Sequence, residues 1–373
     1  MKRNKIAVVI AFCFMITGTY NVAAKSDKDL HQKRNPKVKV ATWNVYVGTD
    51  LFAVLAGNIG VDEAVSQIIA SNFPARAKQI VKKLISNSTD LIGFQEVWRI
   101  EIILPGFALP PWFPDPNVVD YEEILTSELE KLGYKHVATN ELTNISVPIL
   151  ADDTVVGSIT IIDHDVIFAK DEVTVIETNE KDYNVFFQAD LDGTSIESIR
   201  GYVEAIVGIH GREYHFVNTH LEDKLPGLPV PDNFFQVFQA EELVSHLSDE
   251  TVPVILVGDF NALPDDDVTM IIEEAGFADM WARRIFERND PGFTCCQDPD
   301  LLNFRSLLDE RIDYIYVRNN KEGKLPFTLA LPLFTSVIGD NIWDKTKTKP
   351  RLWPSDHGGV SATLLIPSLG NHY

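Results

Sequence analysis

The sequence predicts one mixed α/β domain, and three observations carry that prediction. From Val38 onward, β-rich runs and runs with helical spacing are interspersed along the chain. No internal repeat, low-complexity tract or linker divides it. Its 373 residues, 45% hydrophobic and 23% charged, suffice for one large core. With 21 Gly, 20 Pro and 3 Cys, collagen-like, disordered and disulfide-scaffold classes are excluded.

The first residues read as an address. Lys2, Arg3 and Lys5 precede the unbroken apolar run Ile6 to Ile16, and Val22-Ala23-Ala24 closes the segment with small residues. This pattern predicts a signal peptide over 1–24 and a secreted or periplasmic protein. The apolar run is shorter than the ~20 residues a membrane-spanning helix needs. An uncleaved membrane anchor is the competing reading. Residues 25–36 are polar and charged and predict a flexible lead-in.

Charge narrows the partners. Net charge is −21, from 33 Lys+Arg against 54 Asp+Glu, and loss of a signal bearing three basic residues makes it more negative. Sequence-neutral binding of a polyanion through a basic surface is disfavoured. An acidic enzyme still acts on a phosphodiester if metal ions supply the positive charge. Cys13 leaves with the signal, so Cys295 and Cys296 remain, with no further Cys or His nearby at zinc spacing. A disulfide between the two and a pair of thiols both stay open.

In chain order, 38–45 predicts a strand. A helix opens at Asn72-Phe73-Pro74, where Asn caps and Pro is tolerated, with Ala77, Ile80, Val81 and Leu84 at helical spacing. Residues 90–94 predict a buried strand running into Gln95-Glu96. Further strands are expected at 159–169, 201–209, 214–219, 253–257, 312–317 and 359–366. A helix carrying Val237, Ala240, Leu243, Val244 and Leu247 on one face precedes the strand at 253. Segments 100–119 and 225–238 combine Pro, Gly and large apolar residues without strand or helix period. Such segments are either packed covers or apolar surfaces for a partner.

Six strand ends carry a residue able to bind a cation or move a proton: Asn44, Glu96, His220, Asp259 with Asn261, Asp313, and Asp356-His357. One Asp after a strand is ordinarily a turn or cap residue. The recurrence points to chemistry. Metal-assisted attack of water on a phosphorus ester needs hard oxygen ligands, which Asn44, Glu96 and Asp356 would give to Mg²⁺. It needs a carboxylate to activate water, the expected role of Asp259. Asn261 would donate to a phosphate oxygen. His357 and His220 would face the developing charge, and Asp313 would hold one of them protonated.

These residues sit in Thr42-Trp43-Asn44-Val45, Gly93-Phe94-Gln95-Glu96-Val97, Val217-Asn218-Thr219-His220-Leu221, Val257-Gly258-Asp259-Phe260-Asn261, Arg311-Ile312-Asp313-Tyr314-Ile315 and Ser355-Asp356-His357. In that order the blocks resemble the endonuclease/exonuclease/phosphatase superfamily of metal-dependent phosphoesterases. The superfamily includes deoxyribonucleases, inositol-polyphosphate phosphatases and neutral sphingomyelinases. The resemblance implies a four-layer α/β/β/α sandwich with two packed mixed β-sheets, spanning 37–368 as one catalytic domain. It implies Mg²⁺, or Mn²⁺ in its place, held by Asn44, Glu96 and Asp356. It further implies water activation by Asp259, phosphate contacts from Asn261, His220 and His357, and support of His357 by Asp313. Arg200 stands where some members place a phosphate-contacting residue. The chain departs from the superfamily at 161–170, where many members carry a Gly-rich strand with a Ser-Arg or Ser-Lys pair; His164 there reads as structural.

The expected activity is hydrolysis of a phosphodiester, in nucleic acid or in a phospholipid head group as in sphingomyelinases. The apolar segments 100–119 and 225–238 are the expected contacts with a membrane surface, and no obligate protein partner is expected. A non-catalytic binding member of the same fold and an inositol-phosphate phosphatase are the alternatives. The first would have lost ligands or base, and the second calls for clustered Lys and Arg absent from the sequence.

Overall fold

A computed structural model of the chain describes residues 37–367, apart from 56, 152–153, 192–193, 287–288 and 320–327. The expected signal at 1–24 and lead-in at 25–36 lie outside the described residues. The described residues fall within one compact unit, Asn35–Tyr373. Among them, no helix is long and apolar enough to cross a membrane.

The strands are β1 (Lys37–Asn44), β2 (Leu91–Gln95), β3 (Arg99–Ile103), β4 (Val118–Asp120), β5 (Tyr134–Ala151), β6 (Thr154–Lys170), β7 (Thr174–Asp182), β8 (Phe187–Leu191) and β9 (Thr194–Ser198). They continue with β10 (Gly201–Ile209), β11 (Arg212–His220), β12 (Val254–Asp259), β13 (Ala278–Asp279), β14 (Asp313–Arg318), β15 (Leu331–Ile338) and β16 (Gly359–Leu365). The helices are α1 (Leu51–Leu55), α2 (Val61–Ser71), α3 (Phe73–Ser86), α4 (Tyr121–Glu130), α5 (Phe234–His246) and α6 (Asp267–Glu274).

Two large sheets result. One runs β15-β16-β1-β2-β6-β3-β4, with β5 also paired to β6; the other runs β13-β14-β12-β11-β10-β7. Both are mixed: β1 pairs parallel with β2 and β11 with β12, and the neighbouring pairs are antiparallel. Side-chain alternation sorts the core into three apolar layers. Val38, Val40, Ile167 and Ala169 of the first sheet meet Val203, Ala205, Ile255, Val257 and Ile315 of the second. The opposite face of the first sheet, with Trp43, Phe94 and Phe168, packs on α3 and α4 through Ala77, Ile80, Tyr121 and Leu125. The outer face of the second, with Val217, Leu256 and Tyr316, packs on α5 and α6 through Ala240, Leu243, Val268 and Ile272. Three interfaces make four layers, the sandwich expected.

The helix at Asn72 forms as predicted: the Asn72 side chain accepts from Ala75 N at 3.3 Å, and Pro74 sits in the first turn. Two expectations are corrected. Segment 100–119 is not aperiodic, because Ile100 and Ile102 alternate inward in β3 and Val119 does so in β4. Exposed Ile103 hides that alternation in the sequence. The end of segment 225–238 is the start of α5, which begins at Phe234. The long β5 and β7 are unforeseen, since their Thr, Asn, Glu and Lys content masks strand pairing. β6 also extends beyond 159–169 to 17 residues, roughly 55 Å of chain. The Ser158–Ile162 part of β6, just before Asp163, pairs with β3 on one side and β5 on the other, whereas its 166–169 part pairs with β2.

Candidate active site

Register assembles the site. The parallel pairing of β11 with β12 puts His220 opposite Asp259, and the antiparallel pairing of β12 with β14 puts Asp259 opposite Asp313. On the first sheet, parallel pairing puts Asn44 opposite Gln95, and Glu96 follows. Glu96 (φ 57°) and Asn261 (φ 50°) both adopt left-handed backbone conformations as the chain leaves its strand. Such conformations are tolerable for Asn and costly for Glu, and they concentrate at functional sites.

The two sheets meet at Asn44. Its Nδ2 donates to Glu96 Oε1 at 2.9 Å and to Asp259 Oδ2 at 3.0 Å. Glu96 Oε2 accepts from Val47 N at 3.1 Å and Trp98 Nε1 at 3.2 Å. Ser355 Oγ lies 2.7 Å from Asn44 O and 3.2 Å from Asp356 Oδ1, bringing Asp356 to the same place. Asp259 Oδ1 accepts from Asn261 N at 3.0 Å. Asn44, Asp259, Asp313, His220 and His357 are buried, whereas Glu96, Asn261 and Asp356 are partly exposed and form the accessible face.

The histidines are set up differently. Asp313 Oδ2 lies 2.9 Å from His357 Nδ1. Burial disfavours a charged imidazole there, but Asp313, Asp356 and Asp259 outweigh it and hold His357 well above its ordinary value. His220 is pushed well below by burial, then by Arg200 and His357. Arg200 Nη1 donates to His220 Nδ1 at 2.9 Å, so the neutral ring carries its proton on Nε2. That Nε2 lies 3.2 Å from Asn261 Nδ2 and 3.7 Å from Asp259 Oδ2. Burial pushes Asp259 up to about 8, with Asp313 adding and His357 and Asn44 opposing. Burial likewise pushes Asp356 up to about 6.

Arg200 is placed otherwise than the sequence suggests. Its guanidinium is buried behind His220 and reaches Asp163 Oδ2 at 3.2 Å and Glu222 Oε1 at 3.5 Å. It therefore touches the site through His220. Asp163, which burial pushes up to about 7, and Glu222 escape the sequence reading, although Glu222 stands two residues beyond His220. Also unforeseen is Arg76 on α3, which is fully buried and donates to Val45 O at 2.7 Å, Tyr46 O at 2.9 Å and Pro354 O at 3.0 Å. It clamps the segments that carry Asn44 and Asp356. A helical Arg on an apolar face was the available signal. His164 Nδ1 contacts Val97 O at 2.8 Å, a structural hydrogen bond.

All nine site residues expected from the sequence thus gather at one end of the sandwich, Arg200 at one remove. Among the described residues, two groups of three have ligand atoms within 4.8 Å of one another: Asp259, Asp313 and His357, and Cys295, Cys296 and His357. The model of the Endonuclease/Exonuclease/phosphatase family matches residues 41–357, which spans every one of these positions.

The chain belongs to this family. Membership makes it a hydrolase of phosphoester bonds, from a family that generally depends on divalent metal. No curated protein matches it. Solved structures share the family fold at low identity. A Bacteroides thetaiotaomicron mannosyl-6-phosphatase superposes with a TM-score of 0.54 at 16% identity, covering 88% of this chain and 100% of its own. D. rerio TDP2 complexed with single strand DNA product gives 0.52 at 17% identity, covering 88% and 98%. A further Bacteroides thetaiotaomicron family protein gives 0.54 at 17% identity, covering 91% and 98%.

Proposed function

We propose that this protein is a secreted, divalent-metal-dependent phosphodiesterase. The observation that carries the reading is the convergence of Asn44, Glu96, Asp259 and Asp356 on one hydrogen-bonded cluster whose Glu96 and Asp356 are partly exposed. The donor set fits a hard cation: its oxygens are carboxylate and amide, and burial and the nearby Glu96 charge push Asp356 above the ordinary carboxylate range, a crowding of negative charge that a bound cation would relieve. Mg²⁺ or Mn²⁺ held by Glu96 and Asp356, with Asn44 beside them, would neutralise the phosphate and the leaving oxygen.

The protein's own groups do the rest. Asp259, held by Asn44 and Asn261 N, accepts the proton of the attacking water. Asn261 Nδ2 and His220 Nε2–H stand together and donate to phosphate oxygens. Arg200 fixes the His220 tautomer and adds positive charge behind it. His357, kept protonated by Asp313, stabilises the charge that builds on phosphorus oxygens.

A specific observation favours a phospholipid over a polynucleotide. Strands β3 and β6 and the segment between β3 and β4 carry Ile103, Val155 and Trp112, which are 57%, 64% and 55% exposed, and Phe238 of α5 is also exposed. Exposed apolar side chains suit a lipid surface, and a strongly acidic chain suits nucleic acid poorly. The test is a panel of plasmid DNA, RNA, sphingomyelin vesicles and phosphatidylinositol phosphates, offered with Mg²⁺ or Mn²⁺. Hydrolysis of vesicles above the others is expected, and no metal-dependent hydrolysis of any would remove the reading. Export is tested by N-terminal sequencing of protein recovered outside the cytoplasm, expected to begin at Lys25.

A further inference from the structure

Cys295 and Cys296 take no part in the hydrolysis proposed above, yet the fold sets them against it. Their sulfurs are joined. Both sulfurs and a ring nitrogen of His357 lie within 4.8 Å of one another. Main-chain hydrogen bonds fasten the pair to the segment that carries Asp356 and His357: Gln297 N donates to Asp356 O at 2.8 Å, and Gly358 N to Thr294 O at 2.7 Å. Thr294 Oγ1 also accepts from Asp313 N at 3.2 Å. Cys295 is buried, 4% exposed, while Cys296 faces solvent and gives access.

In the sequence this pair lacks a third ligand. The fold supplies one from far along the chain. Sulfur and nitrogen ligands of a tetrahedral zinc stand about 3.3 to 3.8 Å apart, so side-chain rotation within the observed span completes the geometry. We propose that reduced Cys295 and Cys296, together with His357, form a site for a thiophilic cation of the Zn²⁺ class, separate from the oxygen ligands Glu96 and Asp356. Reduction by a small thiol is balanced: two thiols give two electrons and two protons to the joined sulfurs and leave as their own disulfide. The cation then binds two thiolates and releases their protons to solvent. Thiolate and imidazole select such a cation against Mg²⁺, which requires oxygen. An imidazole that ligates a cation is no longer doubly protonated and is held by that cation, so it cannot act as the imidazolium proposed to face phosphate, and occupancy inhibits hydrolysis. That consequence rests on the proposed function; the binding does not.

The experiment titrates metal-free full-length protein with Zn²⁺ by calorimetry and with Co²⁺ by absorption, after reduction and after oxidation. Reduced protein is expected to bind one Zn²⁺ tightly and show a cobalt–thiolate charge-transfer band. Oxidised protein and the C295S/C296S variant are expected to lose the cobalt–thiolate band and the tight Zn²⁺ site, keeping only the weaker binding at the oxygen ligands Glu96 and Asp356, and His357→Gln to weaken the tight Zn²⁺ binding by about tenfold or more. Equal Zn²⁺ binding by reduced and oxidised wild type, or by H357Q and wild type, overturns the site. The oxidised wild type serves as control even if a variant fails to fold. A cobalt band in reduced protein whose Mg²⁺-dependent hydrolysis ignores bound Zn²⁺ upholds the site and instead removes His357 from the reaction.

Discussion

Asn44 and Asp259 belong to different sheets and are joined across the sandwich by a 3.0 Å hydrogen bond from the amide to the carboxylate. The same amide reaches Glu96 at 2.9 Å. One short side chain therefore sets the spacing between the proposed base and a proposed metal ligand, and it does so only when both sheets are packed.

Replacing Asp259 with Asn keeps the shape of this junction and removes the base. Turnover is expected to fall by about 10²- to 10⁴-fold, with the unfolding midpoint within error of wild type. Activity near the wild-type level would exclude Asp259 from proton transfer.

Glu96→Gln keeps a side chain of the same size and withdraws one negative charge from the oxygen cluster. The Mg²⁺ concentration for half-maximal activity is expected to rise by about tenfold or more. An unchanged metal titration would show that the cation binds elsewhere.

Asp313→Asn tests the pairing at His357. Asp313 holds the imidazole above its ordinary value, so losing that charge lowers the value and deprotonates His357 at a lower pH. The alkaline limb of the kcat/KM profile is expected to move toward neutrality. A profile that does not move would mean that His357 is not the group titrating there.

Glu204 tests stability away from the site. Burial opposes its charge, but His215 and His246, each about 3.0 Å away or less, and Asn179 draw it down to about 2. Its stabilisation is therefore present above the ordinary carboxylate value near 4.5 and is lost as pH falls through about 2. Urea unfolding of E204Q against wild type should show a deficit on the order of 2–3 kcal/mol at pH 7 that shrinks in acid. A deficit independent of pH would assign Glu204 a packing role only.

Trp112→Ser removes an exposed ring while leaving its buried neighbour Phe113 in place. Hydrolysis of sphingomyelin vesicles is expected to drop several-fold, and that of a soluble phosphodiester to stay level. Parallel loss on both substrates would make the ring structural.

The candidate site residues were legible because they stand at strand ends in short apolar frames, where a run such as Val257-Gly258-Asp259-Phe260-Asn261 declares both the strand and its polar terminus. Their convergence was legible only through the family resemblance, since register between distant strands leaves no local mark. Arg200 and His220 show what was lost: the sequence offers a cation beside a phosphate, whereas the packing turns it onto an imidazole and two carboxylates. β5 was missed for a physical reason as well. It pairs along almost its whole length with β6, so Thr and Asn are carried by backbone pairing instead of apolar burial.

The doubled length of the β5–β6 hairpin separates two tasks within one ribbon. Its inner half packs into the core with Ile167 and Phe168, and its outer half, joined by β3, runs on past the reacting groups. A chimera that exchanges that outer half with a relative's keeps the inner half and its core packing intact, so any change in substrate preference it brings is read apart from a change in stability.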